Sequence, residues 1–98
     1  MIVWDENKRR ANIAKHGLDL AAAAEFDFNT AVFEEDIDVR HERRVRAIGF
    51  IGGQLFFLVF ADSGDDESGD MRVISLRRAT AKEKRRYVET SEADERGA

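Results

Sequence analysis

Hydrophobic and polar positions alternate with different periods along this chain, and each period predicts its own kind of element. The start, "MIVW" (Met1 to Trp4), is a short apolar run that reads as a strand. Asp5, directly after it, is placed to cap a helix by accepting from the free backbone N–H groups of the first turn. That helix, "ENKRRANIAKH", stops at Gly17, a residue free to take the left-handed conformation in which many helices end. A second short helix begins after Asp19 and runs through "LAAAAEF", favoured by its alanines. A brief extended segment around Ala31 to Glu34 and an irregular acidic connection follow.

From Arg43 the period becomes two. In "RRVRAIGFI" the residues Val45, Ala47 and Gly49 alternate with Arg44, Arg46 and Ile48, and Gly52 with Gly53 supplies the positive-φ positions of a tight hairpin. The next run, "QLFFLVFA", is apolar on both faces and therefore belongs in the middle of a sheet, covered on each side. "MRVISLR" is a further strand, for which antiparallel pairing is the economical choice. Thr80 and Glu83 have the spacing of a capping box, so a helix is expected from about Ala81 to Glu89, with "SEADERGA" as a frayed end. The order implies an α+β fold: an antiparallel sheet of three to four strands, two N-terminal helices and one C-terminal helix. Residues 1–90 form one domain in this reading, and 91–98 a flexible acidic tail.

Composition narrows the chemistry. With 98 residues and an apolar fraction of 43%, the chain carries enough Phe, Val, Ile and Leu for one modest core. It contains no cysteine, which removes disulfides, thiolate nucleophiles and Cys-ligated zinc. No apolar run approaches the length of a membrane-spanning helix, and the first ten residues lack the order of a secretory signal, so a cytoplasmic protein is expected. The net charge of −4 hides blocks: "DSGDDESGD" (Asp62 to Asp70) and the stretch from Val88 to Ala98 are strongly acidic, and the remainder is net positive. The acidic stretch reads as a solvated connection, since it lacks the ligand spacing and closing Glu of a calcium loop. The basic charge concentrates in "RVISLRRATAKEKRRY" (Arg72 to Tyr87), where seven cations face one acid.

Three blocks of the chain together resemble the BrnT toxins of bacterial type II toxin–antitoxin pairs: "WDENKRRANIAKHGLDL" (Trp4 to Leu20), "ERR" before "AIG" (Glu42 to Gly49) and "RVISLRRATAKEKRRY". The resemblance implies a RelE-like fold and a ribonuclease that inhibits translation. It also implies a BrnA-like ribbon-helix-helix antitoxin that binds the toxin, with DNA contacted only through that antitoxin. This chain departs from the family pattern in the long acidic stretch 62–70, in Leu76 between Ser75 and Arg77 where alanine is usual, and in Leu20 where an aromatic is commoner. The acidic stretch and the pI near 5.2 motivate a second reading, an inactive toxin-like binding module that serves as antitoxin partner or co-repressor.

RNA is cleaved without metal or cofactor when its own 2′-hydroxyl attacks the adjacent phosphorus. The protein then supplies a proton acceptor, cations beside the phosphate and a donor for the departing oxygen. Arginine suits the middle role because its planar fork meets phosphate oxygens in pairs and stays charged. Candidate catalytic residues are therefore Glu42, Arg44, Arg72, Arg77 and His16. Glu42 serves as a base or as the partner that orients an arginine; His16 serves as an acid or base, or interacts with the negative end of its helix. The bland alternative for the arginines is a set of ion pairs binding sheet edges. Arg72 and Arg77 are five residues apart, so an unbroken strand aims them at opposite faces, and their convergence requires a bulge or an early strand end. Lys82, Arg85 and Arg86 are candidates for contact with RNA phosphates, or else complement the dipole of the last helix. Tyr87 either stacks on a base or anchors its helix to the sheet.

Overall fold

The computed structural model describes residues 2–37, 43–62 and 70–97. Their elements run β1 (Ile2–Trp4), α1 (Glu6–His16), a 3-10 helix (Leu20–Glu25), β2 (Val32–Ile37), β3 (Arg43–Ile51), β4 (Gln54–Asp62), β5 (Met71–Arg78) and α2 (Ala81–Gly97). The caps of α1 are those the sequence requires. Asp5 accepts from the N–H groups of Asn7 at 2.8 Å and Lys8 at 3.1 Å, and Gly17 closes the helix at φ 71°.

Among the described residues the sheet has five strands in the order β1-β5-β4-β3-β2, with β4 in the middle as its two apolar faces demand. The sheet is mixed, which corrects the expected antiparallel sheet of three to four strands. The β2–β3, β3–β4 and β4–β5 pairs are antiparallel, whereas β1 lies parallel to β5. A parallel partner for β5 follows from chain geometry: β1 is separated from it by nearly the whole domain and is not tied to it by a hairpin. The second expected helix is a 3-10 helix, capped by Asp19 through Ala21 N–H at 3.0 Å. Its ends close by three-residue steps, Ala22 N–H to Asp19 C=O and Phe26 N–H to Ala23 C=O, as suits a piece too short to propagate an α-helix. The last helix does not stop near Glu89 and continues to Gly97.

One sheet face builds the core. Val45 and Ala47 of β3, Phe56, Leu58 and Phe60 of β4, and Val73 and Leu76 of β5 pack beneath Leu20, Ala23 and Phe26. Leu20 and Leu76 are fully buried here, so each supplies apolar volume to the core. Gly49 has a specific reason to lack a side chain, because a Cβ there would stand 2.6 Å from the Phe26 ring. Its absence lets that ring lie on β3 and meet Phe28 edge to face at 4.9 Å.

Asn12 joins α1 to the sheet. Beyond Trp4, β1 no longer covers the outer edge of β5, and the free backbone groups of Leu76 are taken up by the Asn12 side chain. Its Nδ2 donates to Leu76 C=O and to Leu18 C=O, both at 2.8 Å, while its Oδ1 accepts from Leu76 N–H at 3.1 Å. One amide thus replaces a missing strand and holds the helix against the sheet edge.

Candidate functional site

Register decides which arginines meet. On β4, Ala61, Val59 and Phe57 alternate onto the sheet face opposite the core, and each has partners on both neighbouring strands. Ala61 pairs with Arg44 of β3 and Arg72 of β5, Val59 with Arg46 and Ser75, and Phe57 with Ile48 and Arg77. Directly opposed side chains share a face, so these nine residues form three rows on one surface. Phe60 pairs with Val73 and Val59 with Ser75, which leaves Ile74 as the extra residue of a β-bulge. The bulge shifts the parity of β5 by one and turns Arg72 and Arg77, five positions apart, onto the same face.

Sharing a face does not make them neighbours. Arg44 and Arg72 flank the buried Ala61 across two interstrand spacings, about 10 Å between backbones, a gap that two arginine side chains leaning together can close on one phosphate. Arg46, which sequence reasoning did not single out, stands in the next row beside Arg44. The Nε atoms of Arg44 and Arg46 are screened from solvent, so the stems of both side chains lie along the sheet. Arg46 also approaches Glu34 of β2 at 3.8 Å.

Arg77 sits four positions along β4 from the Arg72 row, roughly 13 Å at the usual strand rise. Its two terminal nitrogens donate to the two carboxylate oxygens of Glu83, each at 2.8 Å, and its guanidinium lies 4.3 Å from the centre of the Phe57 ring. Glu83 in turn accepts from Thr80 N–H at 2.8 Å, while Thr80 Oγ1 accepts from Glu83 N–H, so the capping box is formed and Arg77 is locked to it. The hydrogen bond from Arg77 holds the Glu83 carboxyl below its usual range, and the same contact raises Arg77. The structure therefore places Arg44 and Arg72 in one row of the sheet face, on either side of Ala61, and ties Arg77 to the start of α2.

The Glu83 contact has a signed pH dependence. A carboxyl lowered by folding contributes stability that is fully present above its unfolded value and is lost as pH falls through its folded value. Glu83→Gln is expected to cost about 1–3 kcal/mol at neutral pH. The difference between variant and parent in urea melts should shrink steadily once the pH drops below the usual carboxylate range; a difference constant with pH would mean the charge contributes nothing.

Of the cations on α2, Arg86 reaches Glu34 Oε1 at 2.7 Å and pins the helix to β2, whereas Lys82 and Arg85 are exposed. Tyr87 is an anchor: its hydroxyl donates to Thr30 C=O at 3.0 Å and its ring meets Phe50 edge to face at 5.5 Å. His16, in the last turn of α1, borders a groove of about 260 Å³ between α1 and β5, together with Lys8, Lys15 and Ser75. Glu42, the neighbouring His41, the connection 38–42 and most of the acidic stretch (63–69) lie outside the described residues. Among the described residues, no group of three or more His, Asp or Glu side chains is placed to hold a metal ion, and no helix is long and apolar enough to cross a membrane.

Lys8 and Lys15 are seven residues apart on α1, a spacing that puts them on one side of the helix, and this pattern was available in the sequence. Arg46 shares the parity of Arg44 and was equally available. Ser75 was not, because its face depends on the bulge.

No curated protein matches the chain. The family model for the ribonuclease toxin BrnT of type II toxin–antitoxin systems matches residues 4–83, a span that begins at the last residue of β1 and contains α1, the row of Arg44, Ala61 and Arg72, and the Thr80–Glu83 cap. The chain belongs to this family of BrnT ribonuclease toxins.

Proposed function

We infer that this toxin is a metal-independent endoribonuclease with a RelE-like arrangement, cutting RNA by attack of its own 2′-hydroxyl and thereby inhibiting translation. The observation that carries this reading is the row in which Arg44 and Arg72 flank Ala61 on one face of the sheet. Two guanidinium groups that lean onto one phosphate from this row would match the charge that builds on a phosphodiester in the transition state. Glu42, immediately before β3 in the chain, is the candidate base or the group that orients Arg44. His16, on the border of the groove between α1 and β5, is a candidate acid or base only if the RNA brings its reacting phosphate within hydrogen-bond reach of the ring, while Arg77 supports the site by fixing the start of α2 against β5. Lys82 and Arg85 are available to RNA phosphates, and Arg86 contributes there only as far as its pairing with Glu34 allows.

The partner in this reading is a BrnA-like ribbon-helix-helix antitoxin, through which any DNA contact is made, and the compartment is the cytoplasm. The purified chain is expected to cleave single-stranded RNA undiminished in excess EDTA, leaving 2′,3′-cyclic phosphate ends. Loss of cleavage in EDTA with recovery on adding a divalent cation would refute metal independence. Products ending in a 3′-hydroxyl and a 5′-phosphate would refute attack by the 2′-hydroxyl.

A further inference from the structure

We propose that the groove between α1 and β5 is a second phosphate subsite, which holds the single strand of RNA at a phosphodiester other than the one being cut. It deepens the nuclease reading and rests on it. The groove is bordered on the helix side by Lys8, Ala11, Lys15 and His16, and on the strand side by Ile74 and Ser75.

The charges of α1 are sorted by side. Arg9 is bridged to Glu6 at 3.2 Å and to Asp19 at 3.3 Å, and Arg10 to Glu6 at 3.7 Å. The carboxylate of Asp5 is engaged with the N–H groups at the helix start. The nearby acids are thus committed to Arg9, Arg10 and the cap, while Lys8 and Lys15 enter no ion pair among the described residues. Two ammonium groups on one side of a helix, two turns apart, with the Ala11 methyl and the Asn12 side chain between them and Asn12 already bonded to the edge of β5, leave charge unpaired by acids for an anion. Asn12 fixes that side of the helix against β5 through its bonds to Leu76, so the backbone that carries the two lysines is set before any ligand arrives.

The groove is continuous with the arginine face. Ser75 lies in the row of Val59 and Arg46, next to the row of Arg72 and Arg44, about 7 Å away at the usual strand rise. A strand of RNA whose reacting phosphate sits between Arg44 and Arg72 therefore reaches Lys8 and Lys15 by crossing Ser75. Lysines recognise phosphate as point charges and do not read bases, so the subsite adds affinity without sequence preference.

The test uses the full chain and the double variant Lys8→Ala with Lys15→Ala, leaving His16 in place. Both lysines lie outside the core, and a far-UV spectrum and melting curve verify the fold. Binding is measured with an oligoribonucleotide methylated at every 2′-hydroxyl, which cannot be cut by internal attack, over a series of salt concentrations. Two lost phosphate contacts on a single strand should reduce the slope of log K against log salt by about 1.4. Affinity should fall roughly tenfold or more at low salt, and the gap should close as salt rises. In cleavage assays with unmodified RNA the variant should show a raised KM with kcat retained, and the two proteins should be equal on a dinucleotide too short to reach the groove. Unchanged affinity, slope and KM would overturn the subsite and leave the arginine row standing. Weakened affinity for the antitoxin with RNA binding intact would overturn it by assigning the groove to the partner, whereas a parent protein that neither binds nor cuts RNA would overturn the nuclease reading itself.

Discussion

Arg72→Ala and Arg44→Ala are each expected to lower kcat for RNA cleavage by roughly 100- to 1,000-fold, the usual loss when one preorganised donor to a developing oxyanion is removed. The two flank one residue, Ala61, and in the proposed mechanism act on the same phosphate, so the double variant should fall well short of the product of the single losses. Lysine at either position should restore little, because an ammonium cannot present two parallel donors to a phosphate. Arg77→Ala is the contrasting case. Its guanidinium is engaged with Glu83 and lies over Phe57, so the expected result is a lowered melting temperature with a smaller effect on kcat at temperatures where the variant is folded. Single-turnover cleavage at saturating RNA, with thermal melts of the same samples, separates the two kinds of effect. A loss in Arg77→Ala as large as in Arg72→Ala, with the fold intact, would mean that the row does not mark the reacting centre.

The features legible in the letters were those set by near neighbours. Asp5 and Gly17 bracket α1 because capping involves only residues within a turn, and Thr80 with Glu83 announces α2 for the same reason. The strands from Arg43 to Arg78 follow the period-two pattern, and "QLFFLVFA" declares its central place through apolarity on both faces. Pairings between distant segments were not legible. Nothing in "IVW" states that it lies parallel to β5, and a run of "LAAAAE" does not distinguish a 3-10 from an α turn when its end is set by Phe26 packing over Gly49. The last helix was expected to end near Glu89 because chain ends commonly fray, but "SEADER" contains good helix formers and no Pro or Gly before Gly97, and the helix runs on to that residue.

The site divides along the same line. The arginines were visible as candidates, and the parity of Arg72 and Arg77 made a bulge a requirement for a shared face, but the letters could not locate that bulge at Ile74. They also could not say that Glu83, chosen as half of a cap, would occupy the Arg77 guanidinium. The capping carboxylate and a phosphate would compete for the same guanidinium, and only the fold reveals that Glu83 holds it.

Asn12→Ala is expected to cost about 2–5 kcal/mol, since the Leu76 N–H, the Leu76 carbonyl and the Leu18 carbonyl each lose their partner and an unmet buried group costs about 1–3 kcal/mol. For a domain of this size that is a large share of a total stability of about 5–15 kcal/mol. Asn12→Asp discriminates the geometry from simple loss of a side chain. It keeps an acceptor for the Leu76 N–H and sets a second carboxylate oxygen against two carbonyls where the amide donated, so it should be at least as damaging as alanine near neutral pH. At low pH, where the acid carries a proton, one of those contacts becomes a donation again and part of the loss should return. Urea unfolding of the three proteins at neutral and acidic pH measures this directly, and an aspartate variant milder than alanine at neutral pH would refute the twin-carbonyl geometry. Because the same amide holds α1 against β5, hydrogen exchange in Asn12→Ala should rise first in residues 6–16 and 74–76. Affinity for RNA should fall with it even where the sheet itself stays folded, since the Lys8 and Lys15 side of the helix would no longer be fixed beside Ser75.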